Sequence, residues 1–140
     1  MKYLTILFLL LVTVVHGKPK YENIKVTRLI SVYDGDSFRV DIDSYPDVIG
    51  KNIGIRVRGI DTPEIRGECL SEKRLALRAK EMASHYLYHA REITLRNVSR
   101  DKYFRILADV YVDNKRLSDI LLNSRLAYEY HGKKKRSWCN

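Results

Sequence analysis

The chain has 140 residues, with 26 Lys or Arg against 17 Asp or Glu, which gives a formal net charge of +9. We expect a chain of this length to form one domain that is large enough for its own core. The positive excess favours a polyanionic partner, because each Lys or Arg that docks at a phosphate releases condensed counterions. Charge alone does not distinguish nucleic acid from an anionic membrane surface.

Residues 1–17 have the form of a cleaved secretory signal. Lys2 provides the positive start, residues 4–15 form an apolar core of twelve residues, and residues 15–17 resemble a small-residue cleavage site. A membrane anchor is the alternative, but twelve residues at about 1.5 Å rise fall short of a hydrocarbon core of roughly 30 Å. We therefore expect no stable membrane insertion after cleavage, and a secreted or periplasmic domain over residues 18–140 with a charge of +8.

Three strands are predicted in the first half of that domain. Residues 26–33 are rich in β-branched side chains, and apolar residues alternate with polar ones at 37–42 and 53–57. Asp34-Gly35 is a strong signal for a tight turn, which would join the first two strands as a hairpin.

A long helix, two more strands and a short helix follow. Apolar residues recur at spacings of three and four between residues 69 and 90, which indicates an amphipathic helix. Alternation resumes at 93–95 and 106–112, and residues 117–121 predict the short helix. The order predicts a mainly β protein with helices (α+β), a five-stranded and partly open OB-fold barrel whose loops bind nucleic acid.

The two cysteines, Cys69 and Cys139, are predicted to form one disulfide. An exported chain meets an oxidising compartment, where such a pair closes. The bridge would stabilise the fold by about 4 kcal/mol in the chain-entropy model.

Two acidic stretches carry the strongest chemical signal. Asp36 directly follows the hairpin turn, and Asp61 follows the strand that contains Arg56. Alone, each stretch is an ordinary turn. If the strand ends lie side by side, the two carboxylates converge with a backbone carbonyl and waters to hold a hard cation such as Ca²⁺.

A base and two arginines complete this constellation. Glu64 lies three residues beyond Asp61, near enough to reach a water, and is the candidate general base. Arg56 and Arg105 would bind the scissile phosphate through their planar forks. Alternation puts Arg58 on the same face as Arg56, so the strand pattern does not choose between these two.

The order of these residues resembles the thermonuclease (staphylococcal-nuclease-like) family. In that family a carboxylate follows an Asp-Gly turn, an arginine stands five residues before an Asp-Thr-Pro-Glu run, and another ends an Asp-Lys-Tyr-Gly-Arg run. Those positions hold Asp36, Arg56, Asp61 and Arg105 here, and the resemblance covers about residues 24–131.

The resemblance implies a Ca²⁺-dependent endonuclease that acts on DNA and RNA and leaves 3′-phosphate ends. It implies these Ca²⁺ ligands: Asp36, Asp61 and the Thr62 carbonyl. It implies these catalytic residues: Glu64 to activate water, with Arg56 and Arg105 to stabilise the transition state. It implies these substrate contacts: Lys102 and Tyr103 at a nucleotide phosphate, and Tyr130 near the base.

The chain departs from the family pattern at several points. Phe104 stands where the family motif has Gly, and Arg125 replaces a Gly expected after the second helix. The loop after Glu64 is shorter, and the long C-terminal helix of the best-known members is missing. We expect the bridge between Cys69 and Cys139 to tie down the tail in its place.

Two other functions fit parts of the pattern. A non-catalytic OB-fold module would bind single-stranded nucleic acid through Tyr103, Tyr128 and Tyr130 and would not need Glu64. A basic exported protein could instead contact anionic lipid through residues 133–136, although such a short charged run is usually a solvated tail. In each case we expect a monomer.

Overall fold

The computed structural model describes residues 21–139, so the predicted signal at 1–17 lies outside the described residues. The described chain is mainly β with three helices. Its elements are β1 (Ile24–Lys25), β2 (Arg28–Asp34), β3 (Ser37–Asp41), α1 (Asp47–Gly50), β4 (Ile53–Val57), β5 (Ile60–Asp61), α2 (Leu70–His89), β6 (Ile93–Arg100), β7 (Ile106–Val112), β8 (Lys115–Arg116), α3 (Leu117–Asn123) and β9 (Tyr128–Glu129).

Seven strands form one sheet in the order β1-β6-β7-β4-β3-β2, with β8 paired to β7. All pairs are antiparallel except β4 with β7, which run parallel. Register shifts in the β2–β3 and β6–β7 pairs mark irregularities, which bend and twist a sheet. The five longest strands are those that the sequence predicts, so the partly open α+β barrel is confirmed.

The long helix α2 packs against β2 across the sheet. Its buried residues include Ala76, Ala79, Ala83 and Leu87, at spacings of three and four, so small alanines face the sheet. The Cys69 side chain caps its first turn by accepting from the Glu72 backbone N–H. The predicted helical segment is therefore confirmed to within one residue at each end.

A second, two-stranded sheet was not predicted. It pairs β5 with β9 in the register Ile60 with Glu129 and Asp61 with Tyr128. Strands of two residues are too short to produce a periodic pattern, which is why the sequence gives no sign of them. This ladder matters for function because it ties Asp61 to the C-terminal segment.

The core is filled by apolar side chains from every long strand, and a buried carboxylate lies among them on β7. Asp109 is only 6% exposed. Its carboxylate accepts hydrogen bonds from Asn97 Nδ2 at 2.6 Å and from Arg116 Nη2 at 2.7 Å. Burial would raise the pKa of Asp109, but the hydrogen bonds from Asn97 and Arg116 outweigh it and hold that pKa below its ordinary value.

Candidate active site

A cleft of about 1020 Å³ opens where the β2–β3 turn, the ends of β4 and β5, and the loop before β7 meet. The residues predicted to bind a cation, to catalyse or to contact substrate all line it. They are Asp36, Arg56, Asp61, Thr62, Glu64, Lys102, Tyr103, Arg105 and Tyr130. Residues from distant stretches of the sequence therefore share one cleft.

The hairpin turn places Asp36 in the cleft because residue 35 is a glycine. A Cβ on Gly35 would lie 2.9 Å from both Ala79 Cβ and Thr62 Cγ2, so a larger residue would push the turn away from α2. The close approach lets the Thr62 N–H donate to Asp36 Oδ2 at 2.9 Å. The Val57 N–H donates to the Asp36 carbonyl at 2.8 Å, which fixes the same turn to the end of β4.

Arg56 joins the two carboxylates that were predicted to converge. Its Nη1 lies 2.5 Å from Asp36 Oδ2, and its Nη2 lies 3.6 Å from Asp61 Oδ1. All three side chains are largely buried, with Arg56 13% exposed and each aspartate 6%. The guanidinium thus faces these acids, and its contact with a substrate phosphate stays a prediction.

Arg58, which the strand pattern did not separate from Arg56, points to other partners. Its Nη2 donates to the Asn97 carbonyl at 2.6 Å, to Ser99 Oγ at 2.7 Å and to the Leu107 carbonyl at 3.1 Å. These bonds tie the end of β4 to β6 and β7. Arg56 is therefore the arginine that pairs with the acidic cluster.

The acidic cluster has features that suit a hard divalent cation. Burial raises the pKa of Asp34 to about 7, and repulsion from Asp36 adds to the shift. Among the residues described, nothing hydrogen-bonds the buried Oγ1 of Thr62. Three buried carboxylates, Asp61 being the third, and an oxygen without a partner make a donor set of hard oxygen atoms, which Ca²⁺ prefers.

Arg105 is presented by a turn organised around Asp101. That carboxylate accepts the N–H groups of Tyr103 at 2.8 Å and Arg105 at 3.0 Å, together with Arg105 Nε at 2.7 Å. Burial would raise the pKa of Asp101, but these bonds outweigh it and lower that pKa. The parallel register of β4 and β7 places Arg105 beside Gly54. A Cβ on Gly54 would lie 3.0 Å from the Cγ of Arg105, so the Arg105 side chain covers the same face of β4 that carries Arg56.

Lys135 is a site residue that the sequence reasoning missed. Its Nζ lies 2.8 Å from Asp61 Oδ1 and 2.8 Å from Glu64 Oε1, so it joins the candidate base to a candidate cation ligand. Burial would lower the pKa of Lys135, but hydrogen bonds to Asp61 and Glu64 raise it above its ordinary value. The signal was available: Cys69 follows Glu64 by five residues and Cys139 follows Lys135 by four, so the predicted bridge brings these segments together.

The C-terminal tail that carries Lys135 is held in two ways. Cys69 and Cys139 form the expected disulfide, with their Cα atoms 5.9 Å apart. Next to it, Trp138 is buried and stacks on Tyr128, with ring centroids 3.9 Å apart. Tyr128 is therefore engaged by the tail, which leaves the base-stacking role suggested for it without support.

A second missed residue, Glu72, holds the loop that carries Glu64. Its Oε1 accepts the Glu64 N–H at 3.2 Å, and its Oε2 accepts the Glu68 N–H at 3.0 Å. Gly67 packs so closely against this carboxylate that a Cβ there would overlap it. Glu72 also lies near both cysteines, but their sulfurs are bonded to each other, so the three do not form a metal site.

Both positions where the chain replaces a family glycine keep a backbone that favours glycine. Phe104 has φ of 66° and Arg125 has φ of 57°. Each substituted residue therefore adopts the left-handed backbone conformation that glycine adopts most easily. Phe104 does so in the turn that presents Arg105.

Residues 54–138 match the family model described as staphylococcal nuclease homologue, which is more than half of the chain. The match includes Arg56, Asp61, Glu64 and Arg105 and leaves Asp36 outside it. No curated protein matches the chain. Within residues 21–139, no helix is long and apolar enough to cross a membrane.

Proposed function

The chain belongs to the staphylococcal nuclease homologue family, and on that basis we propose that it is a Ca²⁺-dependent endonuclease. It would hydrolyse phosphodiester bonds of DNA and RNA and leave 3′-phosphate ends. The observation that supports this most is the single cleft in which buried carboxylates, an accessible glutamate and two arginines converge. A protein that only binds nucleic acid does not need this combination.

The cation would be held by the carboxylates of Asp36 and Asp61 and the carbonyl of Thr62. When bound, Ca²⁺ would supply positive charge beside the scissile phosphate and the attacking water. The hard oxygen donors and the crowding of buried negative charge support this assignment. Arg56 already offsets part of that charge from within the cluster.

Glu64 would act as the general base. Its side chain is 56% exposed at the mouth of the cleft, so water can reach it. As the water oxygen bonds to phosphorus, its proton passes to Glu64 and the bond from phosphorus to the 5′ oxygen breaks. The 5′ oxygen then takes up a proton from solvent water, and the phosphate stays on the 3′ oxygen.

Arg56 and Arg105 would stabilise the charge that develops on the phosphoryl oxygens. A planar guanidinium can donate two parallel hydrogen bonds, and these stabilise developing negative charge more strongly in a partly buried cleft than in water. Asp101 holds Arg105 through Nε and leaves the two terminal nitrogens for this purpose. Lys102 and Tyr103 would contact a neighbouring phosphate, and Tyr130 would lie near the base.

Export is part of the proposal. Residues 1–17 would be cleaved, and the monomeric domain would act outside the cytoplasm, where a nuclease that ignores sequence cannot damage the genome. The bridge between Cys69 and Cys139 supports an oxidising compartment.

The alternative is a non-catalytic module that binds single strands. It is favoured by the exposure of Tyr103 and Phe104 beside basic side chains, since such rings are stacking platforms in binding domains. Only a cleavage assay with matched variants distinguishes the two functions.

The test incubates purified protein with single- and double-stranded DNA and RNA in Ca²⁺, Mg²⁺ or excess chelator. The proposed nuclease cuts with Ca²⁺ and stops in chelator, and Glu64→Gln abolishes cutting while binding persists. Glu68→Gln is the matched control, because this exposed glutamate belongs to the same loop, and it should cut like the wild type. Binding without cutting by the wild type would instead support the module, and cutting in chelator would reject the cation mechanism.

A further inference from the structure

Phe104 is in a place that folding alone does not explain. The residue is 76% exposed, and its backbone has φ of 66°, a conformation that is costly for a bulky residue and easy for glycine. An exposed ring gains little from burial, so it does not offset that cost. Strain that persists without a folding benefit points to a function for the side chain.

The loop holds the backbone of Phe104 in place. Arg100 Nη1 donates to the Phe104 carbonyl at 2.8 Å, and the Phe104 N–H donates to the Asp101 carbonyl at 3.3 Å. The Asp101 carboxylate binds the N–H groups of Tyr103 and Arg105 on either side. A ring on so constrained a turn can receive a ligand without a further loss of loop entropy.

The cations around the Phe104 ring suit a ligand that combines negative charge with flat, apolar groups. Arg100 Cζ lies 4.4 Å from the Phe104 ring centroid. On the neighbouring ring of Tyr103, which is 67% exposed, Lys102 Nζ lies at 5.0 Å and Arg105 Cζ at 5.3 Å. Two exposed rings flanked by cations match the way proteins hold single-stranded nucleic acid, with bases on the rings and phosphates on the cations.

We propose that Phe104 is a stacking platform for an unpaired base of the substrate strand, just outside the cleft that Tyr103 and Arg105 line. This rests on the proposed function, because it assumes that a nucleic-acid strand occupies that cleft. The bases of a duplex are already stacked on one another, so the platform favours single strands and strand ends. The residue thereby sets substrate preference without touching the reacting atoms.

The test measures binding in excess chelator, so that no strand is cut. Fluorescence anisotropy compares the wild type with Phe104→Gly on a labelled single-stranded oligonucleotide and on a duplex of the same sequence. Removing the ring should weaken single-strand binding by roughly 5- to 100-fold, the usual effect of losing one base–aromatic stack, and change duplex binding less than about 2-fold.

The variants are chosen so that misfolding cannot imitate the result. Glycine relieves the left-handed strain, so Phe104→Gly should melt at the same or a higher temperature than the wild type. Phe104→Asn, which also tolerates this backbone, should lose the same affinity, and Phe104→Tyr should retain it. Tyr88→Ala removes an exposed ring from α2, away from the cleft, and should leave binding unchanged.

An oligonucleotide with abasic sites provides the direct check on stacking. It should bind the wild type weakly, and Phe104→Gly should weaken it no further. Equal single-strand affinity of Phe104→Gly and the wild type, or an equal loss on single strand and duplex, would overturn the platform and leave the nuclease proposal intact. A wild type that binds neither form of nucleic acid in chelator would overturn the platform, and one that also cuts neither form in Ca²⁺ would overturn both proposals.

Discussion

The two sides of the cleft are built differently. The sheet side consists of Asp36, Arg56 and Asp61, whose side chains are 13% exposed or less. The tail side consists of Glu64 and Lys135, which are 56% and 46% exposed. The candidate cation ligands thus have buried side chains, while the candidate base is exposed on a surface segment.

Different interactions hold the two sides. On the sheet side, the Asp36 carbonyl accepts a hydrogen bond from the Val57 N–H, and the Asp36 carboxylate accepts one from the Thr62 N–H. On the tail side, a disulfide between Cys69 and Cys139 adds a covalent bond to the two-residue ladder of β5 with β9. The difference teaches that the cation site depends on the fold as a whole, whereas the position of Lys135 depends on a few contacts of the tail: the disulfide, the stack of Trp138 on Tyr128 and the short ladder of β5 with β9.

Breaking the disulfide should give the largest effect and should affect the tail side first. Reduction of the wild type, or the double variant Cys69→Ser with Cys139→Ser, should lower the free energy of unfolding by about 4 kcal/mol or somewhat less. Urea unfolding with and without reductant measures it. The double variant is the control, since reductant should not change it further. An unchanged wild-type midpoint in reductant would show that the bond adds nothing to the fold.

Changing Arg56 tests the sheet side. Arg56→Lys should lower the cleavage rate by about 100-fold or more, because an ammonium is a point charge and cannot donate the two parallel hydrogen bonds that the guanidinium would give to the phosphoryl oxygens. Arg58→Lys is the matched control, since Arg58 bonds to β6 and β7 instead. Equal losses in the two variants would contradict the assignment of Arg56 to the site.

Lys135 connects the two sides, and its removal should have a moderate effect. In Lys135→Met the ammonium no longer competes for Asp61, so Ca²⁺ should bind roughly 2- to 10-fold more tightly, as for the loss of a partly exposed ion pair. Isothermal titration calorimetry measures the affinity, and Lys133→Met in the same exposed tail is the control. Weaker Ca²⁺ binding by Lys135→Met would mean that the lysine supports the cation site.

Asp109 lies away from the cleft, and its removal should change the stability of the sheet in a way that depends on pH. Because the folded state lowers the pKa of Asp109 below its ordinary value of 3.8, the ionised carboxylate stabilises the fold above that pH. The contribution disappears as pH falls through the lowered value. Asp109→Asn should therefore cost about 1 to 2 kcal/mol at pH 7 and progressively less below pH 3.8. Urea unfolding across pH measures this, and a cost that stays constant with pH would contradict the ion pair.

The sequence was informative wherever a pattern extended over several residues. The strands at 53–57 and 106–112 and the helix after Cys69 follow from apolar periodicity, since these segments are long enough to show it. The choice between Arg56 and Arg58 did not follow, because both occupy one face of the strand and only tertiary contacts separate them. The resemblance selected Arg56; the structure pairs it with Asp36 and Asp61, and its catalytic role stays a prediction.

The tail was the part that the sequence described least well. Residues 133–136 have the composition of a solvated run, yet Lys135 contacts two carboxylates of the cleft. Its position depends on a disulfide between cysteines that are 70 residues apart in sequence and on the two-residue ladder of β5 with β9. Neither contact produces a local periodic pattern in the sequence. Contacts of this kind become predictable only when the disulfide is used as a distance restraint.

The most direct test of the account is a calorimetric titration of Ca²⁺ into the wild type, Asp36→Asn and Asp61→Asn, with Asp43→Asn as the control at an exposed carboxylate. The account predicts one Ca²⁺ site in the wild type and the control. Each of the other two variants should lose it, because both carboxylates are needed. Wild-type affinity in either Asp36→Asn or Asp61→Asn, or no binding by the wild type, would contradict a cation shared between these two aspartates.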